Sequence, residues 1–360
     1  MLDLNDLLQF MVEHRGSDLH LKVGSAPHVR VDGHLMVTSH DPVTPVDTDR
    51  IAFAILPPDR AEEFSASGEA DFALSIAGLG RFRVNVFRQR GSVGLVFRRV
   101  LPGLPSFDTL GLPSVVARLA EEARGLVLVT GPTGSGRTTT LAAMVDHINE
   151  TRSVSIVTIE DPVEVLHTDK MAIVNQRELG TDTKDYSTAL RRVLRQDPDI
   201  VVVGEITDDE TMEAVLAVAS TGHLVLSTMP TTRAAETISR IVDFFPPYQH
   251  RQVRVTLAGC LRGIVSQALL ERADGRGRVP AVEVVVGTNR VFDFVADSDA
   301  VPRQLETIMV DGEYYGMQTF DQSLFGLYKN GLVSLRDVLA AATDQSEFRI
   351  SLTTAGLISA

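Results

Sequence analysis

An apolar run, Gly125 to Thr130, passes directly into GPTGSGRTTT at residues 131–140. After it, Leu141, Met144, Val145 and Ile148 recur at helical spacing. Strand, glycine-rich loop and helix in immediate succession leave few architectures open. Glycines at 131, 134 and 136 let successive backbone N–H groups turn inward at a helix N-terminus, an arrangement that favours anions. The candidate phosphate cradle is therefore Gly131, Pro132, Thr133, Gly134, Ser135, Gly136, Arg137, Thr138 and Thr139, with the Thr138 hydroxyl placed to ligate Mg²⁺. A glycine-rich turn without a ligand is the plainer reading. Such a turn, however, need not set a hydroxyl directly after a basic residue or lie between a strand and a helix. The phosphate-loop pattern G-x-x-x-x-G-K-[ST] has a lysine where Arg137 stands. Arginine keeps the charge and loses the compact shape, although its planar fork can contact phosphate in bidentate fashion.

From Gly125 onward, short apolar strands alternate with amphipathic helices, the signature of a wound α/β sheet. Two further strands end in carboxylates. SIVTIEDP ends at Glu160 and Asp161, and DIVVVGE ends at Glu205; a third strand, HLVLST, begins at His223. Ligands of such sheets bind at the carboxyl edge. Phosphoryl transfer needs one carboxylate there to hold Mg²⁺ and another to orient the attacking water. A lone Glu after a strand is usually a solvated loop residue, but with the glycine loop the two become coherent. The helix from Asp208, with Met212, Val215, Leu216 and Ala219 in register, reads as core packing; Asp243 to Gln249 reads as a proline turn. Arg191, Arg192 and Arg195 read as a solvated face.

Residues 1–100 form a different, α+β unit. A helical pattern spans Asn5 to His14, and then Leu19, Leu21 and Val23 alternate with polar neighbours. In RFRVNVF, Arg81 and Arg83 fall on one face and Phe82, Val84 and Val86 on the other, as in a half-buried strand. Prolines and glycines interrupt both periodicities from Leu101 to Ser114, which marks a connector. The expected layout is a first domain at 1–100, a linker at 101–114, an α/β core at 115–280 and a helical region at 281–360. A net charge of −13 argues against nucleic acid or an anionic membrane surface as the main partner. The single cysteine, Cys260, excludes a disulfide framework or a tetracysteine zinc site within the chain and reads as a small buried hydrophobe. The nine histidines show no metal-ligand spacing, so no zinc is expected. No apolar run approaches the ~20 residues of a membrane helix, and the acidic start is unlike a signal peptide, so a cytoplasmic protein is expected.

TIEDPVE, VNQRELG, RQDPDIVVVGE, TGHLVLST and GMQTFDQSL together resemble the secretion ATPase superfamily over nearly the whole chain, and most closely its PilT/PilU pilus-retraction branch. SDLHL and RFRVNVF resemble that family's N-terminal PAS-like domain. The resemblance implies a PAS-like α+β domain followed by a RecA-like P-loop α/β domain with a helical C-terminal region. It further implies a homohexameric ring at the cytoplasmic face of the inner membrane. There the ring would couple ATP hydrolysis to the turning of a pilus platform protein in twitching motility. Carried over by position, the Walker A loop falls on Gly131 to Thr138, the aspartate-box general base on Glu160, and the Walker B glutamate, with Mg²⁺, on Glu205. The first histidine of the histidine box falls on His223, and the arginines that reach nucleotide across a subunit boundary fall on Arg81 and Arg83.

Four positions depart from the family pattern. Besides Arg137, GEITD puts Thr207 where an arginine is usual, and TMPT puts Pro230 where the second histidine belongs. The A-I-R-N segment tied to retraction appears as Arg290, Val291, Phe292 and Asp293. Proline has neither a proton-carrying side chain nor a backbone N–H. Two readings therefore stay open at this level. One is an active ATP-driven retraction motor; the other is a nucleotide-binding subunit with impaired hydrolysis that serves an active paralogue. A nucleic-acid motor on the same core is disfavoured by the acidic balance.

Overall fold

The computed structural model describes residues 2–31, 34–100 and 107–359, with the backbone alone at 59 and 108. The chain divides into two compact units, 1–103 with 162–166, and 104–161 with 167–360.

The first unit is built on a six-stranded sheet whose strands are β1 (Asp18–Leu21), β2 (His28–Val31), β3 (His34–Val37), β4 (Glu69–Ile76), β5 (Gly80–Gln89) and β6 (Ser92–Val100). They lie in the order β3-β2-β1-β6-β5-β4, with every neighbouring pair antiparallel. The alternation expected of RFRVNVF is present: Phe82, Val84 and Val86 are fully buried among Leu7, Leu8, Met11, Leu95 and Phe97. On the opposite face the Arg81 Nη1 donates to Ser75 Oγ at 3.2 Å, and the Arg83 Nε lies 3.9 Å from Asp71 Oδ1. Leu19 and Leu21 are buried on β1, but Val23 lies beyond it in a turn. Asp18 of β1, opposite Arg30 and Arg98 in the ladder, has a side chain only 8% exposed and accepts from Arg98 Nε at 2.8 Å and Ser17 Oγ at 2.8 Å.

The second unit carries a seven-stranded sheet: β7 (Gly125–Thr130), β8 (Ser155–Glu160), β9 (Ile173–Glu178), β10 (Ile200–Val203), β11 (Leu224–Met229), β12 (Leu261–Glu271) and β13 (Arg278–Val286). The order is β13-β12-β7-β11-β10-β8-β9, all parallel except the β12–β13 hairpin. Every residue of β7, β10 and β11 is buried, as strands covered on both faces must be. One face packs on Met144, Val145 and Ile148 of the helix Arg137–Thr151, the other on Met212, Val215 and Ala219 of the helix Asp209–Ser220. Glu283 of β13 is buried, and its Oε1 accepts from the Ala234 N–H at 2.7 Å at the start of the helix Ala234–Asp243. Arg191, Arg192 and Arg195 are exposed, and Cys260 is buried.

Two expectations change. Of the expected linker, 101–106 lies outside the described residues, but the part after it belongs to the second unit. There Phe107 and Leu112 pack against the buried cluster around Val115 and Ile148, and the Phe107 ring meets His147 edge-on at 5.4 Å. The sheet also runs past residue 280, so the helical region starts after β13. The GMQTFD segment has a structural use. Gln318 bridges to Val284 by two backbone hydrogen bonds, its Nε2 donates to Val282 O at 2.7 Å, and Thr319 caps the helix Phe320–Lys329. These contacts cover the outer edge of β13, which an open sheet would otherwise leave unpaired.

Candidate functional site

The loop between β7 and the helix Arg137–Thr151 lies at the carboxyl edge of the parallel strands. Its three glycines all have positive φ, at 148°, 81° and 90° for Gly131, Gly134 and Gly136. At Gly131 space forbids a side chain as well: a Cβ would stand 2.3 Å from Gln267 O and 2.4 Å from Ser135 Oγ. Ser135 is 3% exposed, and its buried Oγ has no hydrogen-bond partner among the described residues. Arg137 and Thr138 open the helix, and Thr138 is exposed there together with Pro132, Thr133 and Gly134.

Two carboxylates share this edge. Glu160 closes β8, and its Oε1 accepts from Thr158 Oγ1 at 2.6 Å and Gln176 Nε2 at 3.1 Å. Glu205 follows β10 by two residues. Its neighbours fix it, because Ile206 N–H donates to Thr228 O at 2.9 Å and Thr228 Oγ1 donates to Gly204 O at 2.7 Å. Arg137 turns toward Glu205: its Nη2 lies 2.7 Å from Glu205 Oε1 while its Nη1 donates to Gly131 O at 2.8 Å.

Three residues not singled out in the sequence join the site. Gln267 of β12 is buried, donates its Nε2 to Ser135 O at 2.7 Å and accepts from Thr140 Oγ1 at 2.9 Å, so one amide clamps loop and helix together. Its only sequence signal is a polar residue inside an apolar strand. Arg278, at the start of β13, reaches Gly134 O at 3.4 Å. Tyr186 opens the helix Tyr186–Val193; its hydroxyl lies 3.0 Å from where a Gly204 Cβ would stand and takes a hydrogen bond from the Glu205 backbone. Burial, then the charges of Asp161, Glu160 and Glu205, push its pKa well above the ordinary tyrosine value.

His223 is not brought to this edge. It precedes β11, its carbonyl accepts from Gly125 N–H at the first residue of β7, and its ring Nδ1 pairs with Thr221 Oγ1 at 3.2 Å. In parallel strands a residue before the strand lies at the amino edge, the full length of six-residue β7 away from the loop, about 20 Å at ~3.3 Å per residue. A catalytic role for His223 at this loop is therefore corrected. The position following β11 at the carboxyl edge is held by exposed Pro230. Arg81 and Arg83 belong to the first unit.

The residues fit a phosphate ligand: glycine-only backbone at three positions, a helix N-terminus and an orphaned buried hydroxyl. The Thr138 hydroxyl and the Glu205 carboxylate are hard oxygen donors of the kind Mg²⁺ takes.

Residues 96–304 match the family described as type II/IV secretion system protein. The chain is 38% identical over 351 residues to the type IV pilus ATPase PilU of Pseudomonas aeruginosa, covering 98% of this chain and 91% of that one. It is 42% identical over 333 residues to the retraction ATPase PilT of the same organism, covering 92% and 96%. Among solved structures, that of the pilus retraction motor PilT with bound ADP superposes with a TM-score of 0.88 at 42% identity, covering 96% of this chain and 99% of that chain. The Legionella pneumophila ATPase DotB, at 24% identity and a TM-score of 0.75, shares the fold. With its phosphate loop, strand-end carboxylates and full-length likeness to both PilT and PilU, this chain belongs to the type II/IV secretion system protein family.

Proposed function

We propose that the chain is an ATP-driven motor subunit of a type IV pilus machine, binding ATP with Mg²⁺ in the 131–139 loop and coupling its hydrolysis to pilus retraction. The observation that carries this reading is the meeting of the glycine loop, Glu160 and Glu205 at one sheet edge. Loop N–H groups bind and orient the phosphates. Thr138 and Glu205 would hold Mg²⁺, which when bound neutralises developing charge on the phosphates. Glu160, fixed by Thr158 and Gln176, is held to accept a proton from water. By likeness to PilT and PilU, we place the subunit in a homohexamer at the cytoplasmic face of the inner membrane against a platform protein. Arg81 and Arg83 would then come from a neighbouring subunit.

One observation favours a second reading, a slow or inactive partner of an active paralogue: Arg137 is held by Glu205 and Gly131. Steady-state Mg·ATP hydrolysis set against Glu160→Gln separates the two. Turnover lost in the variant supports the motor; nucleotide binding without turnover in either protein supports the partner subunit.

A further inference from the structure

Resting on the phosphate-loop reading, we infer that Arg137 and Glu205 form an internal latch in which the carboxylate occupies the guanidinium a phosphate must take. Phosphate binding and divalent-cation binding then depend on each other. Both terminal nitrogens of Arg137 are committed, Nη2 to Glu205 Oε1 at 2.7 Å and Nη1 to Gly131 O at 2.8 Å. The arginine side chain is only 15% exposed, so the pair is shielded on that side, whereas Glu205 at 38% is reachable from solvent. The fork shape makes the double engagement possible. A planar guanidinium spans a carbonyl and a carboxylate at once, which a lysine ammonium on its flexible stem does less rigidly.

A phosphate entering alone meets a cation already neutralised and a carboxylate that repels it. A divalent cation drawn to Glu205 removes that rival and frees the fork for the phosphate. The coupling is reciprocal, since whatever raises phosphate affinity when the cation binds must raise cation affinity when phosphate binds. Arg137, through its pairing with Glu205, thus ties the two ligands to each other at the loop.

The test is ADP binding by isothermal titration calorimetry to the full chain, in EDTA and in Mg²⁺, for wild type, Glu205→Gln, Glu160→Gln and Arg137→Lys/Glu205→Gln with its Arg137→Lys parent. The latch requires Glu205→Gln to tighten ADP in EDTA by roughly 5- to 50-fold, within the usual span of coupling between sites. The gain from Mg²⁺ should shrink correspondingly. Glu160→Gln removes a charge at the same edge, from the carboxylate that Thr158 and Gln176 hold, and should tighten ADP by less than about twofold. In the Arg137→Lys background, the effect of Glu205→Gln should fall severalfold. Unchanged or weaker ADP binding by Glu205→Gln in EDTA, or equal tightening by Glu160→Gln, overturns the latch and leaves the phosphate loop standing. Absence of ADP binding in every protein and condition overturns both.

Discussion

Gln267→Leu is the sharpest probe of how the loop is held. Leucine has nearly the volume of glutamine and suits a buried strand, so the substitution removes two hydrogen bonds with little change in packing. It leaves the Ser135 carbonyl and the Thr140 hydroxyl without the partners they have at 2.7 and 2.9 Å. Each stranded buried group costs about 1–3 kcal/mol. The Thr140 hydroxyl can recover part of its share by bonding the carbonyl one helical turn back. The net penalty is about 2–4 kcal/mol, concentrated where the loop must be ordered to receive phosphate. If most of it falls on that ordering, ADP affinity drops by roughly 30- to 1,000-fold at about 1.4 kcal/mol per decade. Calorimetric titration of ADP reads the loss directly, and circular dichroism checks that the chain stays folded. A folded Leu variant that binds ADP within threefold of wild type would refute the clamp.

Tyr186→Phe keeps the ring and removes the hydroxyl beside Gly204 and Glu205. It should lower kcat of ATP hydrolysis roughly ten- to a hundredfold through misplacement of the carboxylates, with KM nearly unchanged, in steady-state kinetics. Because burial, and then the carboxylates of Asp161 and Glu160, disfavour loss of the Tyr186 proton, turnover should show no tyrosine ionisation up to pH 10. In the first unit, burial raises the Asp18 pKa, but the Arg98 and Ser17 hydrogen bonds outweigh it and hold the carboxyl below its ordinary value. A depressed folded pKa contributes stability above the unfolded value and loses it as pH falls through the folded one. The urea midpoint of Asp18→Asn should therefore lie furthest below wild type above about pH 4 and converge with it in more acid solution. Burial pushes the Cys260 thiol up to about 11, so it should resist a thiol reagent at pH 8 in the native protein and react on unfolding. Fast labelling of folded protein would contradict that placement.

The glycine loop and both carboxylates were legible because each follows an apolar strand, and a parallel sheet delivers every such end to one edge. The same rule, applied to strand direction, puts His223, which precedes its strand, at the opposite edge from the loop. Gln267 and Tyr186 were not legible, since they reach the site from elements far along the chain and each looks locally like an ordinary strand or helix residue. The Arg137–Glu205 pair is hidden for a related reason, because only the folded sheet brings a loop residue after one strand against a carboxylate after another. Residues 107–114 read as linker through their prolines and glycines, yet Phe107 and Leu112 find apolar partners that local pattern cannot reveal.

The β12–β13 hairpin gives the loop a mechanical neighbour. Its ladder runs without a break from Gly263 opposite Val286 to Glu271 opposite Arg278, a plank roughly 30 Å long at ~3.4 Å per residue. The loop meets it at mid-ladder through Gln267, which lies opposite Val282, and at the turn end through Arg278; directly after Val282, Glu283 and Val284 hold the helix Ala234–Asp243 and the Gln318 segment. A ladder cannot slip by one residue without turning every side chain to the wrong face. A loop that shifts when its ligand changes must therefore break from Gln267 or carry the plank with it, and the helix Ala234–Asp243 and the Gln318 segment, tied to the same stretch of ladder, are carried along.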